Sequence, residues 1–225
     1  MSTEELKAEV LPDDYNQYDL SFKILVIGES GVGKSCLISK VVKGVFNDLY
    51  HETQGVYFLD FNVRIDGTAI RLEIFDVSGK KLYRSLISNF YRNVSLAMMV
   101  YAINSKESFI HIETWLKEVK LLSNPDVKIF LIGNKADLEE DRQVALEEAK
   151  QFKDEYGIHF FSEASAKSGL NAQEVFVEAA KLLYSEYFKL KQKVKEKTKN
   201  KGDRKPGFND KLYKNFPTLT KWMNI

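Results

Sequence analysis

Eight consecutive residues, Gly28-Glu29-Ser30-Gly31-Val32-Gly33-Lys34-Ser35, follow the spacing G-x-x-x-x-G-K-[ST]. In that pattern the glycines let the backbone curl until its N–H groups point at phosphate oxygens, at the positive end of a helix. Lys34 would bridge the terminal phosphates, and the Ser35 hydroxyl would bind Mg²⁺. Asp76, Ser78 and Gly79 form a second set. A carboxylate at Asp76 can hold Mg²⁺ through water, and the Gly79 N–H can reach a third phosphate. Asp and Gly are also ordinary turn residues, so this set alone is weak. Asn134-Lys135-x-Asp137 places a carboxylate where it can accept from the two N–H groups on one edge of guanine, a donor pair that adenine lacks. Ser165-Ala166-Lys167 can close over the base O6 through a backbone N–H. The short motifs say little one by one; their order makes the set specific.

These residues need a scaffold, and the apolar pattern supplies one. Phe22 to Ile27, Leu96 to Ile103, Val127 to Ile132 and Ile158 to Phe161 read as buried strands. Val56 to Ile65 and Ala69 to Phe75 alternate around Asp66-Gly67, a hairpin signal. Helical spacing covers Lys34 to about Lys43, Lys81 to Arg92, Glu107 to Leu122, Leu146 to Tyr156 and Ala172 to about Leu190. Phe109, Ile112, Leu116, Val119 and Leu122 make one stripe, with Trp115 at its core-facing boundary. Strands alternating with helices predict an α/β fold whose mostly parallel sheet has helices on both faces. Ligands in such folds sit at the carboxyl ends of the strands, and every motif above falls there.

Composition narrows the classes further. The chain has 225 residues, 44% hydrophobic and 29% charged, ordinary for a globular protein with one sizeable core. No stretch approaches the roughly 18 consecutive apolar residues of a membrane span. The opening MSTEELKAEV is acidic and lacks an apolar signal core, so a cytoplasmic location is expected. A single cysteine, Cys36, excludes an internal disulfide and a Cys-based zinc site, and His51, His111 and His159 are too scattered for a metal site. The net charge of +1 hides an asymmetry: Lys189–Lys205 holds eight Lys and one Arg against Glu196 and Asp203, a local +7 that leaves −6 for the rest. The expected organisation is a flexible arm over residues 1–19, one domain over 20–190, a basic linker over 191–207 and an aromatic docking peptide over 208–225. That last segment carries Phe208, Tyr213, Phe216 and Trp222.

Taken together, the motifs resemble those of the small GTPases of the Ras superfamily, and GESGVGKSC, NKAD and EASAK read as in its Rab branch. FYRN, GVYF and RLEIFD are near-matches to Rab segments. The resemblance covers about residues 20 to 190. It implies a six-stranded domain that binds GTP and GDP with Mg²⁺ and signals by reshaping two switch loops. It extends the nucleotide-holding loop to Cys36, whose side chain reads as packing. It also implies that Thr53 binds Mg²⁺ and the third phosphate, that Phe46 stacks on guanine, and that Tyr50 lies over the phosphates.

Departures from that pattern shape the expected function. Where the family reads D-T-A-G-Q-E, this chain has Asp76-Val77-Ser78-Gly79-Lys80-Lys81. The family Gln orients the attacking water by accepting from it; a protonated Lys80 has three donors and no acceptor. Slow GTP hydrolysis follows, with Lys80 pairing with a phosphate oxygen instead. The family T-I-G-V-D-F reads Thr53-Gln54-Gly55-Val56-Tyr57-Phe58 here, so common Rab effectors should fit poorly. Rabs are anchored through prenylated C-terminal cysteines, whereas this sequence ends Trp222-Met223-Asn224-Ile225, so no lipid anchor is expected. The Lys189–Lys205 run suits an anionic surface, and no specific nucleic acid is expected. Two functions result: a GTP-holding regulatory or structural module that docks proteins through its switch surface and C-terminal tail, a cytoskeletal or ciliary assembly being one setting; or a cycling switch in vesicle transport with partner-supplied catalysis.

Overall fold

Alternation along Leu20–Ile27 (β2) sends Leu20, Phe22, Ile24 and Val26 to one side and Leu25 and Ile27 to the other, and all six are buried. A strand buried on both faces needs a layer above and below it. The computed structural model, which describes residues 6–47, 53–80 and 87–199, supplies both. Its sheet joins Ala8–Val10 (β1), Val56–Ile65 (β3), Thr68–Val77 (β4), Leu96–Ala102 (β5), Lys128–Asn134 (β6) and Phe160–Glu163 (β7) to β2. The order is β1-β3-β4-β2-β5-β6-β7. β2 runs parallel to β4 and β5, and β6 runs parallel to β5 and β7. The β3–β4 hairpin turns at Asp66 and Gly67, which have φ of 46° and 81°, the pair of positive angles that a tight hairpin turn of matching twist requires.

Helices cover the two faces. Lys34–Lys43 (α1) and Ala172–Lys199 (α5) bury Leu37, Ile38, Val175, Phe176 and Leu183 on the side of Ile24 and Val26. Lys106–Ile110 (α2), Ile112–Leu122 (α3) and Leu146–Glu155 (α4) bury Phe109, Trp115, Leu116, Val119 and Ala149 on the side of Leu25 and Ile27. The helix expected over Glu107 to Leu122 is interrupted at His111. Trp115 is fully buried, while Leu122 is 38% exposed where the chain leaves the helix at Ser123. Of the helix expected over Lys81 to Arg92, residues 81–86 lie outside the described residues, and Ser88–Tyr91 forms a 3₁₀ turn with Tyr91 buried.

Two expectations are corrected. The sheet has seven strands rather than six, because part of the arm expected to be flexible pairs with its edge. Ala8, Glu9 and Val10 lie opposite Ile65, Arg64 and Val63. The Leu11 N–H donates to the Asn62 carbonyl at 2.9 Å, and Leu11 is buried. Asn62 is itself buried, and its Nδ2 donates to the carbonyls of Pro12 and Asp13 at 3.3 and 3.4 Å. Arg71 donates to the Tyr15 carbonyl at 3.0 Å, and its guanidinium sits 4.2 Å from the centre of the Tyr18 ring. A three-residue strand with every residue exposed carries no alternation to read. Second, α5 continues past Leu190 to Lys199, into the segment expected to be a linker. Once a packed turn has nucleated a helix, Lys, Gln and Glu propagate it at little cost, with no apolar face needed. The aromatic peptide expected over 208–225 lies outside the described residues.

Candidate nucleotide site

The ends of β2, β4, β6 and β7 release four loops on one edge of the sheet, and they surround a cavity of about 440 Å³. The loop after β2 can curl because Gly28, Gly31 and Gly33 take φ of 143°, 79° and 92°. At Gly33 a side chain is also barred by space, since a Cβ would lie 2.4 Å from Asn134 Nδ2. Gly33 starts α1 without a side-chain cap, so the first-turn N–H groups at Lys34, Ser35 and Cys36 front the cavity that these residues line. Lys34 is buried beside the loop, its Nζ donating to the carbonyls of Gly28 at 2.9 Å and Glu29 at 2.8 Å. Burial pushes its ammonium down to about 8, against the opposing pull of Asp76 and Glu29.

Asp76 and Ser35 meet across the strand ends. Burial pushes the Asp76 carboxyl up, offset in part by a hydrogen bond with Ser35 and by the charge of Lys34. Asp76 Oδ1 is buried and has no hydrogen-bond partner among the described residues. The Ser35 hydroxyl also lies 2.7 Å from Thr53 Oγ1. One desolvated carboxylate oxygen short of a partner beside two hydroxyls is an oxygen donor set suited to a hard cation. Among the described residues no group of three His, Cys, Asp or Glu could hold a metal without help. A Mg²⁺ held by Ser35, Thr53 and Asp76 would therefore take further ligands from phosphate oxygens, as such sites ordinarily do. Gly79 closes this end of the cavity: a Cβ there would come within 2.4 Å of the Glu29–Ser30 backbone, so the loop after β4 rests directly on the phosphate loop.

At the other end, Asn134 ties three motifs together. Its Nδ2 donates to the carbonyls of Val32 at 2.8 Å and Gly33 at 3.3 Å, and its Oδ1 accepts from the Ala166 N–H at 3.2 Å. Of the backbone N–H groups of Ser165-Ala166-Lys167 that the sequence offers to the base O6, that of Ala166 is thus engaged with Asn134. Asp137 Oδ1 accepts from the Ser165 hydroxyl at 2.5 Å, which orients the carboxylate while its second oxygen remains available. Lys135 has a positive φ of 65°, so the chain turns sharply between Asn134 and Asp137.

Most expected site residues converge. Ser30, Gly31, Gly33, Lys34, Ser35, Cys36, Phe46, Thr53, Gly79, Asn134, Lys135, Asp137, Ala166 and Lys167 line the cavity. Gly28, Val32, Asp76 and Ser165 stand one layer behind and hold the lining in place. Burial raises the Cys36 thiol, as a packing residue rather than a reactive one would have it. The Lys80 backbone N–H donates to Ser78 Oγ at 3.4 Å, and Lys80 follows the phosphate-facing Gly79 directly. Tyr50 lies outside the described residues. The sequence reading missed Ser39, Val45, Asn47 and Leu138, which also line the cavity. Ser39 was within reach of it, one helical turn beyond Ser35 on the same face.

A mostly parallel α/β sheet with a glycine-rich loop opening α1, a base-edge carboxylate and a one-carboxylate cation set defines a nucleotide-binding domain of the P-loop type. The profile of the Ras family matches residues 23–185, and the chain belongs to that family. It is a GTP-binding small GTPase by fold and by family.

Proposed function

We propose that this is a Rab-like member that binds GTP and GDP with Mg²⁺, hydrolyses GTP slowly, and serves as a regulatory or structural module in a protein assembly. The observation that carries the slow step is the placement of Gly79 against the phosphate loop with Lys80 next in the chain. Lys80 itself is not among the residues that line the cavity, and a lysine at this chain position offers three donors and no acceptor for the attacking water. Positioning of the nucleotide falls to the backbone of the phosphate loop and to Lys34, and base recognition falls to Asp137. Mg²⁺, when bound, neutralises charge between the phosphates.

The surface beside this site supports protein docking. Tyr57 and Phe58 on β3 are 54% and 63% exposed. The Phe58 ring stands edge-on to Phe75 with centroids 4.6 Å apart, and Phe90 lies 6.1 Å from Phe58. Rigid aromatic groups of this kind anchor interfaces at low entropic cost. The reading is tested by single-turnover hydrolysis of preloaded GTP by the protein and by Lys80→Gln. The expected result is slow turnover that Lys80→Gln speeds by about tenfold or more. Hydrolysis by the unaltered protein as fast as that of an ordinary Rab would contradict it and point to a cycling switch, and equal slow rates would remove Lys80 as the cause.

A further inference from the structure

Arg142 lies outside the cavity, in the loop between the base-edge motif and α4, yet it is heavily bonded. Its five N–H donors are all used. Nε and Nη2 donate to the two oxygens of Glu139 at 2.7 and 2.5 Å. Nη1 and Nη2 donate to the two oxygens of Glu163 at 2.6 and 2.8 Å. Nη1 also donates to the Val144 carbonyl at 3.0 Å. The paired carboxylates hold the guanidinium well above its ordinary value, Glu163 first.

The three anchors are not equivalent in the chain. Glu139 is two residues after Asp137, so it belongs to the loop that presents the base-edge carboxylate. Glu163 ends β7, two residues before Ser165, whose hydroxyl orients that carboxylate. Val144 is itself held by its N–H to the Ile103 carbonyl at 3.0 Å, at the end of β5. The planar fork of Arg142 therefore spans the loops after β6 and β7 with two bidentate pairs, a geometry that a lysine cannot reproduce.

We propose that Arg142 is a positioning residue for guanine recognition, acting through Glu139 and Glu163 to hold Asp137 and Ser165 at the spacing that the base edge requires. It touches no nucleotide itself. The inference rests on the guanine-nucleotide reading above. A misplaced carboxylate loses the bond to the exocyclic amino group of guanine, so the effect must depend on that group. Hypoxanthine lacks it and makes a matched probe.

The test is the dissociation rate of GDP and of IDP, each with Mg²⁺, from the full chain and from Arg142→Ala, well below the unfolding temperature. GDP release should accelerate by about tenfold and IDP release distinctly less, so that discrimination between the two narrows. Arg142→Lys keeps the charge and guards against misfolding of the alanine variant; it should show the same narrowing in weaker form. Equal acceleration for GDP and IDP, or no acceleration, would overturn the proposal and leave Arg142 a purely structural tie. Failure of the unaltered protein to prefer GDP over IDP would overturn the base assignment itself, before any variant is compared.

Discussion

Lys34 is buried in the phosphate loop within the electrostatic influence of the Asp76 carboxyl. Lys34 sits in its loop with a pKa of about 8, lowered from 10.5 by burial. A phosphate beside it favours the charged form and raises that value, so binding takes up a proton wherever the free protein has lost it. The sign follows directly: affinity contributed by this lysine is complete below about pH 8 and is lost as pH rises above it. Nucleotide affinity at pH 9.5 should therefore be about tenfold below that at pH 7.5, as titration at the two pH values would show. For the nucleotide-free protein the sign is opposite. The unfolded chain binds more protons between about 8 and 10.5, so the part of its stability set by Lys34 rises with pH across that window. An affinity that does not change between pH 7.5 and 9.5 would mean that Lys34 does not contact phosphate.

The strands and helices divide into those that announce themselves in sequence and those that do not. β3, α1 and the hairpin turn at Asp66-Gly67 stand where apolar alternation and turn residues put them, because each buries its own periodic face. The same holds for the phosphate loop, Asn134 and Asp137, whose types and spacing are dictated by the ligand. β1 was hidden because its stability comes from elsewhere: its backbone bonds and Leu11 use an edge more than fifty residues away. The Arg142 fork was hidden for the same reason, since only folding brings Glu163 to the loop of Glu139. Leu11→Ala should lower stability by about 2 kcal/mol, read as a shift of the urea midpoint. Removing residues 6–11 bares the outer edge of β3 and should add self-association on gel filtration, since an unpaired edge templates pairing with another chain. Unchanged midpoint and monomeric elution would show that the arm contributes nothing to the fold.

At the scale of the whole molecule, charge is separated along the chain. Lys189–Lys205 carries +7 and the remainder −6, and the start of the basic run lies in α5. We expect this segment to bring the domain to anionic surfaces. Each Lys near such a surface contributes about 1 kcal/mol, and screening shortens the reach to about 8 Å at physiological salt. Vesicles containing phosphatidylserine should sediment the protein at low salt and release it at high salt, and reversing Lys197, Lys199 and Lys201 to Glu should abolish sedimentation. Binding that survives those reversals would move the contact to another part of the surface. We propose that the nucleotide site, the exposed aromatic pair Tyr57 and Phe58 and the basic run act together in a protein held in place while it keeps its nucleotide. The proposed function requires that GTP persist in the site with Mg²⁺. The most direct measurement is the nucleotide released on denaturing protein purified from its native source. Guanosine triphosphate at close to one equivalent is the predicted result; guanosine diphosphate in excess, or no guanine nucleotide, would contradict it.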